Sequence, residues 1–131
     1  MLKIQHYLNI EHNYDTMNCL TFLEYIYKRE FNINFDSVRK LFKIDGLEDL
    51  RELLRLDPQI STDIENWKKI NLTSLLMYDI IIFKDRKNRV SHFGMYLDNN
   101  KFIHLPEKSI SKIGELNDEF RQKFHSAYRH I

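Results

Sequence analysis

The strongest constraint in this sequence is an apolar pattern at helical spacing in residues 17–27. Apolar residues recur at positions 19, 20, 22, 23, 26 and 27, which is the spacing of a helix with a wide buried face. Three candidate N-cap residues, Asp15, Thr16 and Asn18, stand at its start. The pattern therefore predicts a largely buried helix that runs to about Glu30 and against which the rest of the chain must pack.

The predicted helix carries the only cysteine of the chain, Cys19, in its first turn. Unpaired backbone N–H groups and the positive end of the helix dipole favour a thiolate at that place, and a thiolate is the nucleophilic form of cysteine. A lone cysteine is, however, more often a small buried apolar residue. The helix alone leaves both interpretations of Cys19 open.

Composition limits the class of protein. A length of 131 residues, with 43% hydrophobic and 13% aromatic residues, predicts one globular domain, residues 1–131. The net charge of +1 gives no electrostatic reason for a nucleic-acid partner. The N-terminus lacks the features of a secretory signal, so we expect cytoplasmic synthesis. The longest apolar run, residues 80–83, is too short for membrane insertion.

The pattern changes from helical to strand-like along the chain. A helical insert is predicted at about residues 36–74, with a short helix at 38–43 and an amphipathic helix at 47–56, and Trp67 is expected in the core. The second half predicts strands at 79–84, 91–97, 101–104 and 126–130, a turn at 98–100 and a helix at 115–124. Helices followed by an antiparallel sheet indicate an α+β fold with N-terminal helices packed on a small sheet.

Two histidines stand at corresponding ends of two predicted strands. His92 opens one strand and His104 closes the next, so an antiparallel hairpin makes them neighbours. A cysteine at a helix N-terminus, a histidine beside it and a second polar group orienting that histidine form the arrangement of a cysteine peptidase. Cys19 would be the nucleophile, His92 the base and His104 the residue that orients His92.

Four segments of the chain resemble one family in order and spacing. They are similar to the NlpC-type cell-wall cysteine peptidases, which are papain-like enzymes, and the phage tail versions look most similar, since residues 126–130 resemble their Arg-His ending. The matching segments are Asn18-Cys19-Leu20-Thr21-Phe22-Leu23, Tyr78-Asp79-Ile80-Ile81-Ile82-Phe83, Ser91-His92-Phe93-Gly94-Met95-Tyr96-Leu97 and Lys101-Phe102-Ile103-His104.

The resemblance implies a hydrolase of peptidoglycan stem peptides that cuts the bond between γ-D-glutamate and a diamino acid, without a metal or other cofactor. Cys19, His92 and His104 match the catalytic triad. Tyr14 matches a tyrosine that holds the free amino end of the substrate, and Ser91 matches a small residue near the substrate. The resemblance also implies a virion-associated protein or one exported without a signal peptide, with phage tail proteins as partners.

The chain departs from the family pattern at several positions. Asn18 replaces an aspartate, Leu20-Thr21 replaces Ser-Gly, and Tyr78 replaces a glycine. These changes leave the three catalytic positions intact but affect the prediction of substrate. Three alternatives stay open: a zinc site, for which the chain offers His12, Cys19, His92 and His104; a non-catalytic tail protein that keeps the peptidase scaffold; and transfer of the acyl group to an acceptor other than water.

Overall fold

The computed structural model describes residues 2–42, 63–64 and 66–131, and the side chains of 2–39 and 66–131. Its helices are α1 (Cys19–Phe31), α2 (Asp36–Phe42) and α3 (Asp118–Gln122). Its strands are β1 (Asp63–Ile64), β2 (Trp67–Ile70), β3 (Ile80–Lys84), β4 (Val90–Asp98), β5 (Lys101–His104), β6 (Lys112–Glu115) and β7 (Phe124–His130). They form one antiparallel sheet in the order β1-β2-β7-β3-β4-β5-β6. The predicted α+β fold is confirmed.

Helix α1 begins at a capping box. The Asn18 Oδ1 accepts hydrogen bonds of 3.0 Å from the backbone N–H groups of Leu20 and Thr21, and the Thr21 hydroxyl accepts one of 2.7 Å from the Asn18 N–H. Of the three predicted caps, Asn18 is therefore the one used. An asparagine caps as well as the aspartate of the family pattern, so this departure leaves Cys19 at the first helical position. The helix ends at Asn32, whose backbone is left-handed.

The sheet is apolar on both faces, which explains the continuous apolar run of β3. The buried side of α1, including Phe22, Leu23 and Ile26, packs on one face against a cluster that contains Ile82 and Phe93. A second cluster covers the other face, with members Ile81, Phe83, Tyr96, Phe102 and Leu116, and Phe120 of α3 packs against it. Trp67 is buried, as predicted.

Strands β3, β4, β5 and β7 confirm the four predicted strands, and α3 lies within the helix predicted at 115–124. Other strands were not predicted: residues 63–64 and 67–70 are strands inside the predicted helical insert, and 112–115 is a strand whose last residue was expected in the helix. Both β2 and β6 have four residues, too few for a reliable period, and the main-chain partner of β2, β7, is distant in sequence. The insert prediction holds for α2; the helix predicted at 47–56 lies outside the described residues.

Asparagine occupies most of the positive-φ positions in the described part of this glycine-poor chain. Among the described residues, nine non-glycine residues have positive φ, and six of them are asparagines, the residue that tolerates this region best after glycine. Tyr78 is the unusual member, with φ of 77° at the position where the family pattern has glycine. Its carbonyl accepts a hydrogen bond from the Tyr27 hydroxyl and its ring packs on Phe31, with centroids 5.1 Å apart. These contacts hold a backbone conformation that costs about 1 kcal/mol.

Candidate active site

A cavity of about 620 Å³ lies at the N-terminus of α1. It brings together four residues predicted from sequence: Cys19 from α1, Ser91 and His92 from β4, and Tyr14 from the N-terminal segment. Other side chains around it are His12, Asp15, Asn18, Thr21, Arg39 and Glu107. His104 is 94% buried and hydrogen-bonds to His92. The structure thus places the three predicted catalytic residues at one site.

The two histidines meet because of the register of β4 and β5. His104 lies opposite Gly94, and His92 is two residues earlier on β4, so both side chains are on the same face of the sheet. The His92 Nε2 and His104 Nδ1 atoms are 2.7 Å apart, which is the ring-to-ring hydrogen bond expected from sequence. This bond occupies Nε2 of His92 and leaves Nδ1 as the nitrogen available to a thiol.

Aromatic rings surround this histidine pair. The Phe83 ring stacks on His92, with centroids 6.0 Å apart, and the Phe102 ring packs on His104 at 4.6 Å. Burial lowers the pKa of both histidines below the ordinary imidazole value, with smaller contributions from Lys123 on His92 and from Lys112 and the His92 charge on His104. Both rings are therefore neutral near pH 7. A neutral His92 is ready to accept a proton.

The Cys19 thiol differs from the sequence expectation. The helix N-terminus was expected to favour the thiolate, but burial raises the pKa of Cys19 above its ordinary value. Backbone N–H groups of Phe93, Leu20 and Cys19 itself act in the opposite direction and are outweighed, and the Glu107 charge adds to the increase. The cavity at rest therefore holds a neutral thiol and a neutral imidazole. A nucleophilic thiolate would then form only during a reaction, by transfer of the thiol proton to a base.

We expect the alkylation of Cys19 by iodoacetamide to follow an apparent pKa above the ordinary thiol value of about 8.5. The reagent attacks the thiolate, and a raised pKa shifts the onset of thiolate formation to higher pH. Rates measured by mass spectrometry between pH 6 and 10 check this prediction. A midpoint clearly below 8.5 would contradict it and would indicate a preformed thiolate–imidazolium pair.

Two glycines shape the support of His104. A Cβ added at Gly114 would lie 2.9 Å from the Phe102 ring and 3.1 Å from the His104 Nε2, whereas the atoms nearest to one added at Gly94 are in the Phe102 ring, at 2.9 Å, and the Ile103 carbonyl, at 3.4 Å. The distances to Phe102 and His104 are shorter than ordinary van der Waals contact. Phe102 thus occupies space that side chains at these two positions would fill, and it packs against His104.

We expect Gly114→Ala to lower kcat about tenfold with little change in KM, because His104 must move by a few tenths of an ångström. Gly94→Ala is the matched control, since the atoms nearest to its Cβ belong to Phe102 and Ile103, and it should lower kcat less. Steady-state kinetics with thermal melts of both variants measure this. Equal losses of kcat in the two variants would contradict a specific effect on His104.

Sequence reasoning missed two charged residues of the cavity. Glu107 lies three residues after His104, the last residue of β5. The prediction of His104 at a strand end therefore indicated that the segment after it lies near the site. Arg39 comes from α2, and no motif marks it. Among the described residues, no group of three or more His, Cys, Asp or Glu side chains is arranged to hold a metal ion. No helix in the same part of the chain is long and apolar enough to cross a membrane.

Comparisons with known proteins give the family. A family model described as the NlpC/P60 family matches residues 7–130. A comparison with curated proteins finds no significant match. Among solved structures, an NlpC/P60 family protein from Bacillus cereus has 21% identity and a TM-score of 0.65. The match covers 96% of this chain and 37% of the Bacillus cereus chain. A protein from Staphylococcus aureus described as similar to lipoprotein, NLP/P60 family, has 15% identity and a TM-score of 0.63, with 96% and 38% covered.

The third structure is the NlpC/p60 domain of peptidoglycan hydrolase SagA, with 15% identity, a TM-score of 0.59, and 95% of this chain and 91% of that one covered. The TM-scores of these three structures show a shared fold. The chain spans little more than a third of the length of the first two structures. The family match covers nearly the whole chain, and the site geometry lies within it. The chain belongs to the NlpC/P60 family.

Proposed function

We propose that this protein is a cysteine peptidase that hydrolyses peptidoglycan stem peptides. The observation that carries the proposal is the placement of Cys19, at the first position of α1, and His92, hydrogen-bonded to His104, at one cavity. Family membership supports it, as does the likeness to a domain whose description names a peptidoglycan hydrolase. We propose that the protein cuts the bond between γ-D-glutamate and the diamino acid.

The reaction begins with proton transfer from the Cys19 thiol to Nδ1 of His92. The Nε2–H of His92 then donates to Nδ1 of His104, which fixes the tautomer and stabilises the imidazolium that forms. The Cys19 sulfur attacks the substrate carbonyl carbon, and the backbone N–H at the start of α1 donates to the developing oxyanion.

The tetrahedral intermediate collapses when the C–N bond breaks and the imidazolium gives its proton to the leaving amine. The acyl group is then held on Cys19 as a thioester. Water attacks the thioester carbonyl while His92 takes a proton from it, and the carboxylic acid and the free thiol are released. Tyr14, which is 57% exposed at the cavity, contacts the amino end of the substrate in this proposal, and Ser91 lies beside the peptide.

Digestion of purified peptidoglycan tests the proposal. Walls with lysine and with diaminopimelate stem peptides should be incubated with the protein, and the products identified by mass spectrometry. We expect fragments that end in D-glutamate and fragments with a new free amino group on the diamino acid, and none with Cys19→Ala. Intact stem peptides of both types after long incubation would contradict the proposal.

We expect His92→Ala to lower kcat by about 10²- to 10⁴-fold, the usual worth of a general base, and His104→Ala to lower it about 10- to 100-fold. His104 acts only by orienting the base and stabilising its charge. The two variants can be compared in the same hydrolysis assay. A larger loss for His104→Ala than for His92→Ala would mean that the two roles are exchanged.

A non-catalytic scaffold is the second candidate, and the raised pKa of Cys19 is the observation that favours it. A structural protein has no need of a reactive thiol. The phage tail role belongs to both candidates and rests on the sequence resemblance, chiefly the ending at residues 126–130. Turnover of stem peptides by the wild-type protein but not by Cys19→Ala separates the enzyme from the scaffold.

A further inference from the structure

The histidine pair has a second environment besides the cavity. His92 lies opposite Phe83 in the sheet, and the two rings stack. His104 comes two residues after Phe102 on β5, so these two side chains also share a face. It is the face that α3 covers, because Phe83 and Phe102 belong to the cluster against which Phe120 packs. The proposed reaction uses the cavity side of His92 and gives no role to the α3 side.

Phe120 of α3 contacts three rings of this group. Its ring centroid is 5.4 Å from that of Phe83, which stacks on His92. It is 5.0 Å from that of Phe102 and 5.9 Å from that of His104, which it meets edge to face. Phe83, Phe102 and His104 are buried, whereas Phe120 is partly buried. The Phe120 ring therefore lies between the histidine pair and the solvent on this face of the sheet.

Hydrogen bonds on both sides of Phe120 hold it in this position. On one side, the Arg121 Nη2 donates to the Asn100 Oδ1, in the turn between β4 and β5, at 2.9 Å. On the other side, the Lys123 carbonyl accepts the N–H of Lys84, the last residue of β3, at 2.7 Å. The position of Phe120 is thus fixed relative to the same three strands, β3, β4 and β5, that carry the stacked rings.

We propose that Phe120 is a positioning residue, which excludes water from the His92–His104 hydrogen bond and so keeps Nδ1 of His92 directed to the thiol. This proposal rests on the proposed peptidase function. A hydrogen bond is stronger in apolar surroundings than in water. Water admitted on the α3 side would offer other partners to the Nε2–H of His92 and to Nδ1 of His104, and the two rings could then rotate apart.

The electrostatics of the pair give the proposal a measurable signature. Burial lowers the pKa of His92 to about 4 and that of His104 to about 3. Charges contribute less: Lys123, which is paired with Glu119 at 3.2 Å, acts on His92. The His92 charge and Lys112, which lies opposite His104 on β6, act on His104. Because burial is the larger cause, water on the α3 side should raise both pKa values towards the ordinary value of about 6.5.

Phe120→Met and Phe120→Gln are matched variants for the first test, which does not require turnover. Both new side chains are unbranched and have similar length and helix propensity, so they differ chiefly in covering the rings with apolar or with polar atoms. Nitrogen-15 NMR between pH 4 and 8 gives the tautomer and titration of each histidine. We expect wild-type behaviour with Met. With Gln, the pKa of His104 should rise by about one pH unit and both tautomers should appear. Identical titrations in all three proteins would overturn the proposal.

Leu116→Ala is the control for a general loosening of the cluster. Leu116 is buried in the same cluster, but it follows Lys112, the β-sheet partner of His104, by four residues. The variant should have a lower melting temperature and the wild-type histidine titrations. Changes equal to those of Phe120→Gln would overturn the proposal, since any loss of packing would then have the same effect.

The second test measures kcat and KM with a stem peptide, together with thermal melts. We expect Phe120→Gln to lower kcat about tenfold with little change in KM, and Phe120→Met to stay within about threefold of the wild-type protein. The acid limb of the kcat/KM profile reports the pKa of the base in the free enzyme, so it should move to higher pH with Gln. Phe120→Ala, which exposes the rings without adding a polar group, should act in the same direction.

Two outcomes of the second test have different meanings. A wild-type kcat in the Gln and Ala variants, with an unmoved acid limb, would overturn the role of Phe120 and leave the peptidase function intact. No hydrolysis by the wild-type protein would defeat the proposed function instead. The histidine titrations would then decide alone whether Phe120 keeps water from the pair.

Discussion

Replacing Cys19 with alanine is expected to lower hydrolysis by at least about 10⁴-fold and to leave the fold intact. The sulfur is the atom that attacks the substrate, and removal of a nucleophile leaves only the modest rate due to binding and oxyanion stabilisation. The fold should survive because the cap of α1 depends on Asn18 and Thr21, not on the thiol. Product formation by chromatography and a thermal melt measure the two effects.

Cys19→Ser provides the control for this prediction. It keeps a side chain of similar size at the helix start but offers a weaker nucleophile, so it should also be inactive and fold normally. Hydrolysis at the wild-type rate by the alanine variant would remove Cys19 from the mechanism, whatever the cavity geometry.

Arg129→Ala is expected to lower the free energy of unfolding by about 3 kcal/mol. Asp79 is 99% buried, and its two oxygens each accept a bond of 2.9 Å from Arg129, which joins the start of β3 to the end of β7. Removing one member of such a pair leaves a buried carboxylate without its partner, at a cost of about 3–5 kcal/mol. We take the low end because the Arg129 side chain is 35% exposed. Urea unfolding of both proteins measures the difference.

Two further variants test whether the loss of stability in Arg129→Ala comes from an unpaired buried charge. Glu119→Ala breaks an exposed pair with Lys123, 3.2 Å apart, and should cost less than about 1 kcal/mol. The double variant Asp79→Ala/Arg129→Met should be more stable than Arg129→Ala, since it leaves no unpaired charge. A loss below 1 kcal/mol for Arg129→Ala would contradict this account of the ion pair. The pair also gives a physical reason for the Arg-His ending noted in the sequence.

The candidate site could be predicted from sequence because the regular geometry of one helix and one hairpin determines where its residues lie. An apolar pattern with a 3.6-residue period places Cys19 at a helix start, and a two-strand hairpin brings positions 92 and 104 together. What the sequence could not provide was the balance of opposing effects on one group. The helix N-terminus and burial act on the Cys19 pKa in opposite directions, and only the three-dimensional structure reveals that burial dominates.

The elements that were missed have weak local patterns or depend on distant partners. Strand β2 has two exposed lysines between two buried ends, so its alternation is hidden, and its place in the sheet is fixed by pairing with β7 about sixty residues later. Strand β6 is a short edge strand that contains Gly114, a residue that weakens any strand pattern. Glu107 was missed for a related reason, because its partner Tyr14 lies far away in the sequence.

The central claim is that Cys19 forms a covalent acyl intermediate with the help of His92. Its most direct test is to mix the wild-type protein with excess stem peptide, quench with acid after successive intervals, and determine the mass of the fragment that contains Cys19. We predict a transient increase equal to the acyl part of the substrate, removable with hydroxylamine as a thioester is, and much slower to form in His92→Ala. An acyl group on another side chain, or sustained product formation by Cys19→Ala, would contradict the mechanism.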